Sequence, residues 1–232
     1  MSRKRILLKL TGSAFLPHEG KPSGIVVDVI QQIKTLVQTH QFGIVVGGGN
    51  FFRGAQEGKQ FQLTPSTGHH VGMLATMMNG LILRDIAKKE GLPVSLFSAV
   101  VCPGLITPAR PCAVEKAQDD GNMIIFSGGT GLPFFTTDTN AAVRALQMEA
   151  EEIWKATDTD GLYDDDPAKN KNAQLIKNTS HEEVLKKGIK VMDAAAFALA
   201  KQHKLTIRVF NIFEPNALLH VTKDATFGSK IS

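Results

Sequence analysis

The sequence predicts an α/β protein whose mostly parallel sheet is covered by helices on both faces. Two observations carry this. Short β-branched or apolar runs alternate along the chain with segments of helical period, which is the order of successive βαβ units. Two of the strand-like runs also end in glycine-rich loops, Gly47-Gly48-Gly49 and Gly128-Gly129-Thr130-Gly131, where such a sheet places ligands.

In chain order, residues 5–10 form the first short strand, ending at Thr11-Gly12-Ser13. Its oddity is Lys9, which is either a solvent-facing residue of an edge strand or a lysine delivered to a site at the strand's end. Val26, Val29, Ile30, Ile33, Leu36 and Val37 recur at the spacing of a helix burying one face, and the helix returns the chain to a strand at residues 43–46. The stretch GIVVGGGNFFRG, residues 43–54, then reads as strand, loop and helix start, a phosphate cradle with an arginine, Arg53, just beyond it. It fits neither a Walker loop, because no Lys and hydroxyl follow Gly54, nor a dinucleotide fingerprint, because Phe52 stands where a small residue is required.

Residues 56–70, polar and containing Pro65, read as loop or a short irregular element. Residues 73–89 read as a helix with Met73, Met77, Leu81, Ile82 and Ile86 inward, Gly91 ends it, and residues 94–101 supply the next strand. Met123–Ser127 is a buried strand, followed by the second glycine loop, the run PFFTTD and a helix over residues 141–148. Glu152–Thr157 is another strand, residues 162–178 an exposed excursion, and Ser180-x-x-Glu183 a capping box opening a helix to Lys187. Asp193 precedes an alanine-rich helix over residues 194–203, and residues 205–211 form the last long strand. The two glycine loops suggest two phosphorylated ligands.

Composition narrows the class further. At 232 residues, 43% hydrophobic and 21% charged, the chain can bury one large core as a single domain, 1–232. The net charge of +4 favours anionic ligands, but the lysines are scattered rather than massed in a stripe, so nucleic acid is not an expected partner. Cys102 and Cys112 have no histidine spaced to complete a metal site with them, and neither a disulfide framework nor zinc is indicated. Lys9 interrupts the N-terminal apolar run and prolines break the uncharged stretch 92–109, so neither a leader nor a membrane span is expected and the cytoplasm is the default compartment.

The runs RILLKLTG, VVGGGNFFRG, VGMLATMMNG, PFFTTD, KATDTDGLY with DPAK, and IKVMDAAAFALA with HKLTIRVFN resemble, in order and over nearly the whole chain, the bacterial uridylate (UMP) kinases of the amino-acid kinase superfamily. The resemblance implies a three-layer α/β/α sandwich, ATP-dependent phosphorylation of UMP to UDP in pyrimidine nucleotide synthesis, magnesium, and a homohexamer. It divides the chain into an acceptor-binding part, about 1–150, and an ATP-binding part, about 151–232. It implies that Lys9, Arg53, Asp138 and Asp193 serve the reaction centre. UMP would meet Gly48, Arg53, His69 and the run Thr130, Gly131, Leu132, Pro133, Phe134, Phe135, Thr136, Thr137. ATP would meet Lys9, Leu10, Thr11, Gly12, Gly49, Arg53, Thr157, Tyr163 and Asp166, with Tyr163 packing on adenine. Arg84 and Asp85 match a run associated in the family with GTP and UTP effectors. Magnesium would be held mainly by phosphates and water, without direct protein ligands.

Blander readings stand beside these. Asp193 and Asp138 could be helix caps, Arg53 a surface arginine, and Tyr163 ordinary packing. The alternatives to the whole are another superfamily phosphotransferase, or a non-catalytic nucleotide- or oxyanion-binding relative. The sequence departs from the family pattern at Ser13, where glutamate is usual, at His69, where an aspartate normally touches the ribose, at Leu132, where a polar residue is common, and at Lys88, where histidine is frequent. A histidine cannot offer a carboxylate's two acceptors at once, so weaker UMP binding or altered ribose discrimination is expected.

Overall fold

A computed structural model describes residues 3–21, 24–53, 57–165, 167 and 169–232. The elements run β1 Lys4–Leu10, α1 Val26–Leu36, β2 His40–Val46, α2 Pro65–Lys89, β3 Val94–Ser98, β4 Thr107–Pro108, α3 Pro111–Asp119, β5 Met123–Ser127 and α4 Thr137–Gln147. There follow β6 Glu152–Thr157, β7 Leu162–Tyr163, β8 Leu175–Ile176, β9 Asn178–Thr179, α5 His181–Lys187, α6 Ala194–Gln202, β10 Thr206–Asn211, α7 Ala217–Lys223 and β11 Ser229–Ile231. Among the described residues nine strands form one sheet in the order β4-β3-β5-β2-β1-β6-β10-β11-β9. Every neighbouring pair is parallel except β10 with β11. This is the predicted α/β architecture.

The strand period of two divides the interior into two cores. Ile6, Leu8 and Leu10 of β1 pack with Val26, Ile30, Leu83 and Leu218 on the side of α1, α2 and α7. Leu7, Val45, Ile124 and Ile153 pack with Ala141, Ala145, Ala196 and Ala200 on the side of α4 and α6. Alternation therefore puts Lys9 on the α4 side, and Lys155, its register partner on β6, beside it. The small alanine faces of α4 and α6 let these helices lie close to the sheet and to each other.

Several expectations are corrected. Lys9 is not on an edge: β1 lies between β2 and β6. Pro65 does not mark a loop but opens α2, with Thr64 as N-cap accepting from the Thr67 amide at 3.3 Å; at the first helical position proline's missing N–H costs nothing. α4 begins at Thr137, four residues before the expected start, capped by the Thr136 hydroxyl. β3 stops at Ser98 rather than running to 101. Ile82 faces outward, 41% exposed, while its neighbour Leu83 is fully buried. The excursion after β6 contains a small antiparallel hairpin, β7 with β8.

Candidate active site

Two clefts open at the carboxyl ends of the central strands. The first, about 460 Å³, is lined by Lys9, the Gly47-Gly48-Gly49 turn, Arg53, His69 and residues of the second glycine loop from Gly129 to Thr137. The second, about 620 Å³, is lined by Lys155, Thr157, Tyr163, Asp164, Lys190 and Val191. One lysine of the β1/β6 register pair thus serves each cleft.

Between them stands Asp138, in the first turn of α4. Its Oδ2 accepts from Lys155 Nζ at 2.8 Å, and its Oδ1 lies 3.2 Å from Lys9 Nζ. The three side chains are only 14–16% exposed. Burial alone would raise the Asp138 pKa, but the Lys9 and Lys155 ammoniums together hold it below the usual carboxylate value. Lys155 shifts the other way for a lysine in an ion pair: burial lowers its pKa, and Asp138 does not fully compensate because Lys9's charge stands beside it. Asp138 stays ionised because one carboxylate shared by two ammoniums gains from both.

Asp193 caps α6, accepting from the Ala196 amide at 2.9 Å, and also accepts from Thr139 Oγ1 at 2.8 Å and from the Thr136 hydroxyl. Burial opposes its ionisation, but these donors hold its pKa low. The Thr136 hydroxyl in turn receives the Asp138 amide at 3.0 Å. Thus the PFFTTD loop, the first turn of α4 and the start of α6 are tied into one polar unit above the lysines.

The three glycines of the first loop do different things. A Cβ on Gly48 would lie 2.9 Å from Ala75 Cβ and from the Thr76 amide nitrogen, so Gly48 lets the loop rest directly on α2. Gly49, by contrast, has only the Arg53 side chain near, at 3.6 Å, and faces the cleft. Arg53 Nε donates to the Gly49 carbonyl at 3.3 Å, folding the guanidinium back over the loop. Such a turn presents backbone amides and a guanidinium to one anion.

The amino acid kinase family pattern matches residues 4–211, nine-tenths of the chain. The chain belongs to the amino acid kinase family. It is 43% identical over 236 residues to the uridylate kinase of Idiomarina loihiensis, covering 100% of this chain and 95% of that protein. It is equally 43% identical over 231 residues to a Haemophilus influenzae uridylate kinase, covering 98% and 97%. Its fold superimposes on the crystal structure of a UMP kinase from Ureaplasma parvum with a TM-score of 0.94 at 32% identity, over 100% of both chains.

In this amino acid kinase family member, the residues singled out from sequence do not all meet at one place. Lys9, Thr11, Gly12, Gly48, Gly49, Arg53, His69, Thr130, Leu132, Phe135, Thr136 and Thr137 converge on the first cleft. Gly131, Pro133 and Phe134 belong to the same loop; Phe134 takes a left-handed φ of 71° and its ring lies 5.0 Å from that of His69. Thr157 and Tyr163 line the second cleft, so the expected ATP set is divided between the two. Tyr163 Oη is 3.5 Å from Asp160, and burial followed by that carboxylate raises its pKa. Leu10 is core: its side chain is fully buried and its carbonyl accepts from the Gly47 amide at 2.9 Å. Asp166 lies outside the described residues. Arg84 and Asp85 sit away from the lysine pair toward the end of α2, Arg84 donating to the Leu105 carbonyl at 3.2 Å and Asp85 pairing with Lys89 at 2.7 Å.

Sequence reasoning missed Lys155, although the signal that marked Lys9, a charge inside a buried strand, is repeated there. It also missed Asn79 and Asn50. Asn79, fully buried on α2, donates to the Gly47 carbonyl at 2.6 Å and exchanges amide hydrogen bonds with Asn50 at 2.7 and 3.1 Å. This pair pins the glycine turn to the long helix.

Proposed function

We propose that this chain transfers the γ-phosphoryl group of ATP to UMP, giving UDP and ADP, and so supplies pyrimidine nucleotides. The observation that carries the reading is the meeting of two clefts at a shared Lys9–Asp138–Lys155 group, in a chain whose relatives over their whole length are uridylate kinases. The first cleft receives the acceptor, with the PFFTTD loop and His69 around the nucleoside. The second receives the adenosine end of ATP, with its phosphates reaching Lys9, Gly12, Gly49 and Arg53. Residues up to about 150 thus serve the acceptor, and those from about 151 mostly the donor.

The attacking group is a phosphate oxygen. A phosphate monoester loses its second proton near pH ~6, so UMP needs no general base. The barrier is the in-line approach of two anions, which is lowered by cations and amide donors fixed in a water-poor site. Lys9 and Arg53 supply the charge, and the glycine-turn amides supply directed donors. Asp138 holds the lysine pair, while Asp193, through Thr136 and Thr139, fixes the helix start that carries Asp138.

Magnesium would arrive bound to ATP and would neutralise charge on its phosphates. The residues present fit an ion that arrives on the triphosphate: both Asp138 oxygens face lysines, and Asp193 is occupied by hydroxyl and amide donors.

The same reading extends to assembly and setting. Leu74, Met78 and Ile82 form a stripe on α2 that is 52%, 44% and 41% exposed, spaced to meet the same stripe of a second copy of the chain within a hexamer. GTP or UTP acting as effectors would meet Arg84 and Asp85 on this helix, which a titration of initial rates reads directly. No helix among the described residues is long and apolar enough to cross a membrane, and we place the activity in the cytoplasm. The test of the function is ADP release with UMP, CMP, dUMP and GMP as acceptors. Turnover with UMP above the others supports it, and a preference for a carboxylate or carbamate acceptor points to a different phosphotransferase.

A further inference from the structure

We propose that Thr76, on the long helix α2, is a positioning residue that ties the second glycine loop beside the first and so sets the gap that receives the acceptor's phosphate. This rests on the phosphoryl-transfer reading above, and adds to it a buried hydroxyl to which the sequence motifs gave no role.

The observation is a pair of hydrogen bonds that run through one side chain. Thr76 is buried, and its Oγ1 donates to the Met73 carbonyl at 2.7 Å while accepting from the Gly128 amide at 2.8 Å. A threonine hydroxyl has one proton, and the bond back to the preceding turn of the helix fixes its direction, so the oxygen turns its lone pairs to Gly128. Gly128 is the residue on which the chain leaves β5. Its φ is 72°, and a Cβ there would lie 2.5 Å from Ser98 Oγ, so only glycine follows this course. The buried N–H at that bend is taken up by the helix.

Three residues further along α2, Asn79 holds the first loop through the Gly47 carbonyl. Gly47 and Gly128 each stand two residues beyond the register pair Val45 with Phe126, so the two loops leave neighbouring parallel strands at one level. Residues three apart on a helix share a face and lie about 4.5 Å apart along its axis, close to the spacing of about 4.8 Å between adjacent strands. One face of α2 therefore reaches both strand ends. The first loop also rests on the main chain of Thr76, because a Cβ on Gly48 would lie 2.9 Å from the Thr76 amide nitrogen. A phosphate held between the loops binds best where their separation is fixed before it arrives, since a loop that must be ordered on binding costs affinity. The tethered loop continues through Thr130 to Thr137 along the first cleft, whereas the second cleft is built from other residues, so the tether bears on the acceptor more than on the donor.

The test compares Thr76→Ala with Thr76→Ser in the full chain, two variants that differ only by the oxygen, and adds Thr76→Val, which keeps the shape and loses the hydroxyl. Amide hydrogen exchange of the unliganded protein is measured together with KM for UMP and for ATP. Exchange needs no turnover, so a chain that does not phosphorylate UMP fails the functional reading while the tether is still read. In Thr76→Ala and Thr76→Val, residues 127–137 are expected to exchange about 10-fold faster than in the parent, with residues 43–49 within about 3-fold, because a buried donor has lost its partner. KM for UMP is expected to rise about 10-fold in the same two variants, with KM for ATP within about 3-fold, and Thr76→Ser is expected to stay within about 3-fold of the parent throughout. Parent-like exchange and KM in Thr76→Ala would overturn the proposal, as would faster exchange with KM for UMP unchanged or an equal rise in both KM values. Thr76→Ser as damaging as Thr76→Ala would also overturn it, by assigning the effect to the methyl group. Should Thr76→Val not fold, the alanine and serine variants decide by themselves.

Discussion

Replacing Asp138 by asparagine keeps the shape of the side chain and removes the charge that two lysines share. The amide offers one acceptor and one donor pair, so whichever way it turns, one ammonium faces N–H groups instead of an oxygen. Breaking a buried ion pair by removing one member costs about 3–5 kcal/mol, and water reaching Lys9 and Lys155 through their clefts places this case near 3 kcal/mol. With an unfolding entropy of about 2.1 cal/mol/K per residue, a loss of that size over a chain of this length lowers the melting temperature by about 6 °C. The dependence on pH has a definite sign. Asp138's folded-state pKa is depressed by Lys9 and Lys155 against the opposing effect of burial. Its contribution is therefore complete above the unfolded carboxylate value of about 3.9 and is lost as pH falls through the lower folded-state value. Melting curves of parent and variant should accordingly stay apart by a constant amount between pH 5 and 8, on the order of the shift just given, and converge in acid. Coincident melting at neutral pH, or a gap unchanged in acid, would show that the carboxylate does not hold the lysines as described.

Two further substitutions probe other parts of the site. Asn79→Ala leaves the Gly47 carbonyl and the Asn50 amide without their buried partner, at a cost of about 1–3 kcal/mol, and should raise KM for phosphate-bearing ligands as the glycine turn loosens; unchanged stability and KM would refute the pinning role. His69→Asp gives up the ring contact with Phe134 but offers a sugar diol two carboxylate acceptors, so KM for UMP should fall and discrimination against dUMP should rise; equal constants for the two proteins would sink the idea.

The fold class was legible because β-branched runs and helical period alternate so regularly, and the strands that carry the site, β1, β2, β5 and β6, stand where their apolar runs put them. What escaped had physical reasons. α2 was read too short because proline marks loops in general, whereas at a first helical position its missing N–H is no defect. α3 was not anticipated at all: only Val114 and Ala117 of its nine residues are buried, too few for a visible stripe. Ile82 was assigned to the wrong side because an apolar residue next to a buried one carries the same sequence signal as core, and only the fold shows that Leu83 and not Ile82 turns inward.

The site divides in the same way. Lys9 was marked by its charge within an apolar strand and Arg53 by its place beyond the glycine loop, while the roles of Asp138 and Asp193 came through motif resemblance; the structure brings Lys9 and Asp138 into contact and ties Asp193 to the helix start above them. The Asn50–Asn79 pair had no local mark, since two asparagines 29 residues apart announce nothing until the chain folds them together. Lys155 did have a mark, and it gained meaning only when the register of β1 with β6 set it next to Lys9.

The central claim, phosphoryl transfer to UMP centred on Lys9, is tested most directly by mixing enzyme with γ-phosphate-labelled ATP, magnesium and UMP and following the label in a single turnover. The account predicts label in UDP for the parent and, for Lys9→Met, the same product formed at least about 10²-fold more slowly, the scale expected when a preorganised transition-state donor is lost. Label released as inorganic phosphate or retained in ATP by the parent, or equal rates for parent and variant, would contradict it.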